Sequence, residues 1–349
     1  MILYDIEHFV YSPFHDIFIT TNLMLLCIKN IVYLNLPRIN SPMKFLGEIF
    51  KVYVLSLIEY IDPSVVITFY DDSILFQRIS RLYKKAEFYA IQNGLRQKYN
   101  FENWYPKDYQ FSMPHFFCFG KLYTDMYRDL NYKIDNFYCI GSLRAGYYMT
   151  EISKNKRQNT RFDICIIAEF YPLDRELDEE NWRGVQGIGR LMRKYVDEHQ
   201  LSYCLALRWD SNRKEYIEEQ KYFKNLYEDK VTFIEHSRFS VYEAIDKSDL
   251  VVAFYSTSAI EALGYGKKVF LCNTSGHSGL NMPINNICSL NELDYDKFKE
   301  KLNYIRYMDY NNYLEIIQKD REYLMNFDQQ NPPHIFIRSM VNDVLGTKK

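Results

Sequence analysis

The sequence predicts an α/β protein made of two doubly wound parallel-sheet units facing a central cleft. Three observations carry that prediction. Short apolar, β-branched runs alternate with helical patterns along most of the chain. These runs stop abruptly in polar residues, as buried parallel strands do at their carboxyl ends. A basic, polar segment at 153–161 without apolar periodicity divides the alternation into two series, and 349 residues are more than one domain usually holds.

In the first series, a strand is expected at 31–36, a helix at 43–61 and a strand at 64–70 that ends in Asp71 and Asp72. Ser73 then caps a helix running through Ala86 with Ile74, Leu75, Ile79 and Leu82 on its apolar face. A strand at 88–91 ends in Gln92-Asn93-Gly94, and an aromatic insertion at 101–114 follows without a clear period. A strand at 116–119, a helix at 122–130 and a strand at 137–140 ending in Gly141-Ser142-Leu143-Arg144 complete an N-terminal domain over 1–150.

The second series gives a domain over 160–290. A strand at 162–168 ends at Glu169, a helix covers 185–199, and a strand at 202–207 ends in Arg208-Trp209-Asp210. A helix at 214–227, a strand at 231–234 and a short helix at 241–245 lead to the stretch 250–271, around which the chain is organised. There an apolar strand turns through Ser256, Thr257 and Ser258 into a helix carrying Glu261, and Gly264 and Gly266 stop that helix before a strand at 268–272. The unpaired N–H groups of such a first turn suit an anion; an ordinary crossover with capping serines is the plainer alternative. The loop 274–283, with His277, suits a mobile segment over a cleft. Helical patterns at 294–327 and 333–345 fill a C-terminal region, 291–349, expected to pack partly back on the first domain.

Composition narrows the function. Lys+Arg number 43 against Asp+Glu 45, so no field gathers nucleic acid. The seven cysteines lie apart without a CxxC pair and read as reduced core residues of a cytoplasmic protein. No signal peptide is visible. The apolar stretch 17–36, broken by Lys29 and Asn30, is too interrupted for a bilayer span, which leaves peripheral contact at the inner face of the membrane or with an assembly complex open. Gly184-Val185-Gln186-Gly187-Ile188-Gly189 lacks the spacing of a dinucleotide loop and reads as a helix start. Asp294-Tyr295-Asp296 reads as a helix cap, and no metal is expected.

In doubly wound sheets ligands lie outside the carboxyl ends of the strands, where this chain is polar. Glu169 stands there as a general base, with a salt bridge to Arg208 as the structural alternative. Asp210 stands as nucleophile or stabiliser, with helix capping as its alternative. Arg208 and Arg144 are phosphate or carboxylate clamps, set against plain surface pairing. Ser256, Thr257, Ser258 and Glu261 form the nucleotide side, and Asp72, Gln92, Asn93 and Arg144 the acceptor side.

Four segments carry a resemblance. Ala90-Ile91-Gln92-Asn93-Gly94-Leu95-Arg96, Cys118-Phe119-Gly120, Ile140-Gly141-Ser142-Leu143, and Ser256-Thr257-Ser258-Ala259-Ile260-Glu261-Ala262-Leu263 with Gly266-Lys267-Lys268 resemble bacterial surface-carbohydrate glycosyltransferases of GT-B architecture. Within that group the chain is most similar to enzymes of capsule and lipopolysaccharide assembly, including retaining β-Kdo transferases. The resemblance implies two Rossmann-like domains, a nucleotide sugar such as CMP-Kdo as donor with no further cofactor, a glycan or lipid-linked glycan acceptor, and a catalytic carboxylate pair. Glu169 matches by its place at the first strand end of the second domain. A nucleotide-sugar epimerase and a non-catalytic nucleotide- or carbohydrate-binding protein of glycan assembly are the alternatives.

Overall fold

The computed structural model describes residues 26–27, 29–30, 42–97, 101, 105, 109–153, 162–170, 179–228, 230–284 and 286–347. The expected strand at 31–36, the apolar stretch 17–30 in large part and the segment 154–161 lie outside them. In chain order the elements are α1 (Pro42–Ile61), β1 (Val65–Thr68), α2 (Ile74–Leu82), β2 (Glu87–Ile91), β3 (Ser112–Cys118), α3 (Lys121–Asp129), β4 (Lys133–Cys139) and α4 (Leu143–Tyr147). They continue with β5 (Phe162–Ile167), α5 (Glu179–His199), β6 (Tyr203–Ala206), α6 (Lys214–Tyr227), β7 (Thr232–Ile234), α7 (Ser240–Asp246), β8 (Ser248–Ala253), α8 (Thr257–Gly264), β9 (Lys268–Cys272) and β10 (Ser289–Leu290). Three helices follow: α9 (Tyr295–Tyr307), α10 (Tyr310–Leu324) and α11 (Pro333–Thr347).

Among the described residues the strands form two parallel sheets, β1-β2-β3-β4 and β10-β9-β8-β5-β6-β7. Parallel strands joined by helices are covered on both faces, which is why these segments are continuously apolar. Ile164, Cys165, Val251, Val252, Val269, Phe270 and Leu271 are enclosed at the centre of the second sheet. That sheet starts at β5 and runs outward through β6 and β7 on one side, then restarts beside β5 with β8 and runs outward through β9 and β10. The order reverses between β5 and β8, and such a switch point leaves a crevice above the carboxyl ends of the two strands.

The glycine-rich run expected to start a helix lies inside α5, because the helix begins earlier, at Glu179. Its glycines are contact points. A Cβ at Gly184 would stand 2.3 Å from the Phe254 ring, one at Gly187 2.4 Å from Thr274 Oγ1, and one at Gly189 2.6 Å from Leu226 Cδ2. At Gly184 and Gly187 helix α5 therefore approaches the segments after β8 and β9, and at Gly189 helix α6, more closely than any larger residue permits.

The segment after α10 returns to the first sheet. Asn326 donates its N–H to Phe119 O (2.8 Å) and its Nδ2 to Cys139 O (2.7 Å). A Cβ on Gly120 would lie 2.4 Å from Tyr323 O, so the crossing chain rests on bare backbone there. Helix α11 then packs on α4 and β1. Its Ile337, Phe336, Met340 and Val341 close one face of the first sheet over Val65, Ile67, Tyr89, Ile91 and Phe117. Among the described residues no helix is long and apolar enough to cross a membrane.

Candidate active site

At the switch point, Glu169 follows β5 and Tyr255 follows β8. Glu169 Oε1 accepts the Tyr255 N–H at 3.0 Å, while Oε2 is buried with no hydrogen-bond partner. The residue is 8% exposed. Burial raises its pKa well above the ordinary carboxylate range, against the smaller opposing pull of the Arg208 charge and the Tyr255 N–H. The low-dielectric setting thus favours the protonated acid. The expected open-rim base is therefore, in structure, a carboxyl sunk beneath the rim.

Next to it, Ser256 occupies the N-cap position of α8 with extended backbone, yet its side chain makes no cap bond. The N–H groups of the first helical turn have no intrahelical acceptor and carry the positive end of the helix dipole. Thr257 Oγ1 accepts the Leu95 N–H at 2.8 Å, which ties this helix start to the end of β2 across the two sheets.

Glu261 lies deeper. Ser142 Oγ donates to its Oε1 and Tyr242 Oη to its Oε2 (2.9 Å), and Ser258 adds a further hydrogen bond. Burial raises its pKa, with these hydroxyls and the Arg144 charge opposing. The side chain expected to meet a nucleotide is thus engaged by hydroxyls of both sheet units. Arg144 belongs to the same knot: it acts on Glu261 and lies 5.8 Å from the centre of the Phe69 ring.

On the other flank, the fully buried Glu219 accepts the N–H groups of Arg208 (3.0 Å) and Trp209 (3.1 Å), so a helix α6 carboxyl shapes the turn after β6. Burial lifts its pKa to about 7. The Arg208 guanidinium lies 5.3 Å from the Trp209 ring centre. Asp210 accepts the Asn212 N–H at 2.9 Å, and its Oδ2 stands 3.8 Å from His236 Nδ1. The Asn212 N–H is also the main reason its pKa is lowered. Its side chain is 44% exposed. β6 stops at Ala206, so Asp210 stands on an exposed turn, whereas Glu169, at the end of the neighbouring strand β5, is buried with its Oε1 on the Tyr255 N–H.

On the first-sheet side the strand ends form a buried polar cluster. Asp71, wholly enclosed, receives Arg96 Nη2 at 2.9 Å and the Asn93 N–H at 3.1 Å, and Arg96 Nη2 also donates to Asn93 Oδ1 at 2.7 Å. Burial outweighs the Arg96 charge and pushes Asp71 up to about 6. Asp72 stands 3.4 Å from Arg96 with its carbonyl accepting Tyr105 Oη at 3.2 Å. Gln92 is absorbed by backbone, donating to Gly94 O (2.8 Å) and accepting the Phe119 N–H (3.0 Å). Asp71 is one of the polar strand ends the sequence offers, but its partner Arg96 was not among the candidates, although both residues follow the ends of neighbouring strands. That shared position is the signal that marks them.

A cavity of about 670 Å³ opens beside this cluster, between Arg96, Gln97 and Met126 of the first unit and His277, Asn281 and Tyr323 of the second. The loop expected to be mobile over a cleft does line it. Its beginning, however, is fixed: Asn273 Nδ2 donates to His277 O (3.0 Å) and Asn281 Oδ1 (2.6 Å), and Thr274 and Ser275 are buried.

No family model matches the chain, and no curated protein matches it in sequence. Solved structures do match in fold. UDP-GlcNAc 2-epimerase from Neisseria meningitidis, bound to UDP-GlcNAc, aligns with a TM-score of 0.50 at 14% identity over 90% of this chain and 84% of its own. The wall teichoic acid polymerase TagF aligns with a TM-score of 0.54 at 10% identity over 85% of this chain and 76% of its own. The chain has a GT-B fold. Sucrose-phosphate synthase from Thermosynechococcus elongatus shares it, with a TM-score of 0.50 at 12% identity over 88% and 79% of the two chains. The switch-point crevice and the uncapped start of α8 are therefore features of one of two Rossmann-like units opposed across a cleft.

Proposed function

We propose that this GT-B protein is a glycosyltransferase that holds a nucleotide sugar on its second sheet and a glycan acceptor against its first. One observation carries the reading: at the β5/β8 switch point a buried carboxyl oxygen, Glu169 Oε2, stands unpartnered next to a helix start whose N-cap hydroxyl makes no cap bond. An anion fits the helix start, and a protonated carboxyl beside it has a hydrogen to give. The donor phosphate takes the Ser256–Ser258 turn, Arg208 supplies charge, and Glu169 carries the proton exchanged with the acceptor or leaving oxygen without a metal. Asp210, on the exposed turn after β6, is the proposed second carboxylate. The motif resemblance puts CMP-Kdo forward as donor and a lipopolysaccharide or capsule glycan as acceptor, at the inner face of the membrane.

Some of the solved structures of like fold are, by name, enzymes of a nucleotide sugar, which supports the donor class and also sustains epimerisation as the second reading. Melting temperature measured with CMP, UDP and GDP tests the donor site, since a ligand bound only to the folded state raises it. A rise with CMP favours Kdo chemistry, whereas a rise with UDP or GDP alone overturns it. Incubation with the stabilising nucleotide sugar and no acceptor then separates the two readings: conversion of the sugar with the nucleotide still attached is epimerisation.

A further inference from the structure

Each sheet carries one pair of cysteines at the same register, and the two pairs differ in access. In the second sheet Cys165 faces Cys204 across β5 and β6, and both are fully enclosed. In the first, Cys118 and Cys139 are the last residues of β3 and β4, and their sulfurs stand 3.5 Å apart. Cys118 is buried and Cys139 half-buried on the outermost strand. Neighbouring strands run about 4.8 Å apart, inside the range of Cα separations that a disulfide spans.

The surroundings of the pair fit thiol exchange. Thr124 Oγ1, on the first turn of α3, lies 3.3 Å from Cys139 Sγ and 4.0 Å from Cys118 Sγ. A hydrogen bond from Cys118 and another from Thr124 bring Cys139 down to about 6 despite its partial burial, with Arg128 helping and Asp125 opposing. Cys118 is raised by the same contact with Cys139 and by burial. The half-buried Cys139 is therefore the thiol an oxidant meets first, and the enclosed Cys118 the one that follows.

We propose that Cys118 and Cys139 form a reversible dithiol–disulfide couple that reacts with small-molecule disulfides of the glutathione type. Cys139 Sγ⁻ attacks one sulfur of the oxidant, forming a mixed disulfide and expelling the other half as a thiolate. Cys118 then attacks Cys139 Sγ, its proton passing to the departing sulfur, which closes the intramolecular disulfide and expels the second half of the oxidant as a thiol, while the first thiolate takes its proton from water. The protein pair loses two electrons and the oxidant gains two, giving two reduced thiols. The sulfurs move from 3.5 Å to the roughly 2.0 Å of a bond at the strand ends. Those ends are also where Asn326 is anchored, through Cys139 O and Phe119 O.

The test uses the native full-length chain treated with oxidised glutathione, quenched by acid, alkylated with iodoacetamide in denaturant and mapped by mass spectrometry. Expected is a Cys118–Cys139 linked peptide that dithiothreitol reverses, with Cys165 and Cys204 alkylated. In Cys118→Ser the expected product is a glutathione adduct held on Cys139, and in Cys139→Ser, Cys118 stays a free thiol. The couple is overturned if both cysteines of the unmodified chain remain alkylatable, or if its Cys139 keeps glutathione while Cys118 stays free. Circular dichroism of each serine variant shows that it is folded; should Cys118→Ser fail to fold, the linked peptide in the unmodified chain decides alone.

Discussion

The backbone N–H of Leu95 and the hydroxyl of Thr257 meet at 2.8 Å, joining the end of β2 to the first residue of α8. Leu95 is buried and Thr257 half-buried, so little water reaches this N–H. Thr257→Val keeps the shape and removes the acceptor. The expected loss of unfolding free energy is about 1–3 kcal/mol, the range for an orphaned buried donor, measured by urea denaturation.

Ser256 separates structure from binding, because its hydroxyl caps nothing. Ser256→Ala is expected to shift stability by less than about 0.5 kcal/mol, unlike a working cap. If the nucleotide phosphate sits there, the same change weakens nucleotide binding about tenfold or more in calorimetry, as loss of a hydrogen bond to a charged group does. Unchanged affinity removes the hydroxyl from the site.

Glu169→Gln replaces a carboxyl that burial favours as the neutral acid with a neutral amide of the same shape. Folding at neutral pH should be preserved, and kcat should fall about 10²–10⁴-fold with KM little moved if the group transfers a proton. Steady-state kinetics of the variant, beside its melting curve, measures both.

Asp71 gives a pH test with a definite sign. Its pKa rises from 3.8 to about 6 on folding. Between those values the folded chain holds more protons than the unfolded one, so stability falls as pH rises through this window, by about 3 kcal/mol at most. Asp71→Asn is expected to flatten this part of the profile while lowering stability throughout, because buried Arg96 loses its enclosed carboxylate and keeps only the half-buried Asp72 as a charge partner. Urea denaturation from pH 4 to 7 compares the slopes. A wild-type stability that is level or rising across this window contradicts the assignment.

The parts of the fold that rest on local pattern were legible in the chain. The helix at 214–227 and the strand at 268–272 fall where amphipathic and continuous apolar runs place them, as does Ser73, whose hydroxyl accepts the Phe76 N–H at 3.2 Å. What local pattern cannot supply is a partner. Glu261 reads as a site residue from its helix alone. Ser142, 119 positions away, turns it into a buried link between the two units. Asp210 reads as a strand-end carboxylate, but the early stop of β6 leaves it on an exposed turn. Glycines 184, 187 and 189 read as a helix start, and only the ring of Phe254, Thr274 and Leu226 against them show why that helix carries glycine there.

Covering the first sheet with α11 also imposes an order on synthesis. The apolar face of Val65, Ile67, Tyr89 and Ile91 is complete once β4 has emerged, yet the helix that closes it lies roughly 200 residues later. At about 5–20 residues per second, a ribosome leaves that surface without its own cover for about 10–40 s. The N-terminal half must therefore wait, partly folded, for a piece of the chain not yet translated, and during that interval a chaperone or a neighbouring nascent chain competes for the place α11 will take.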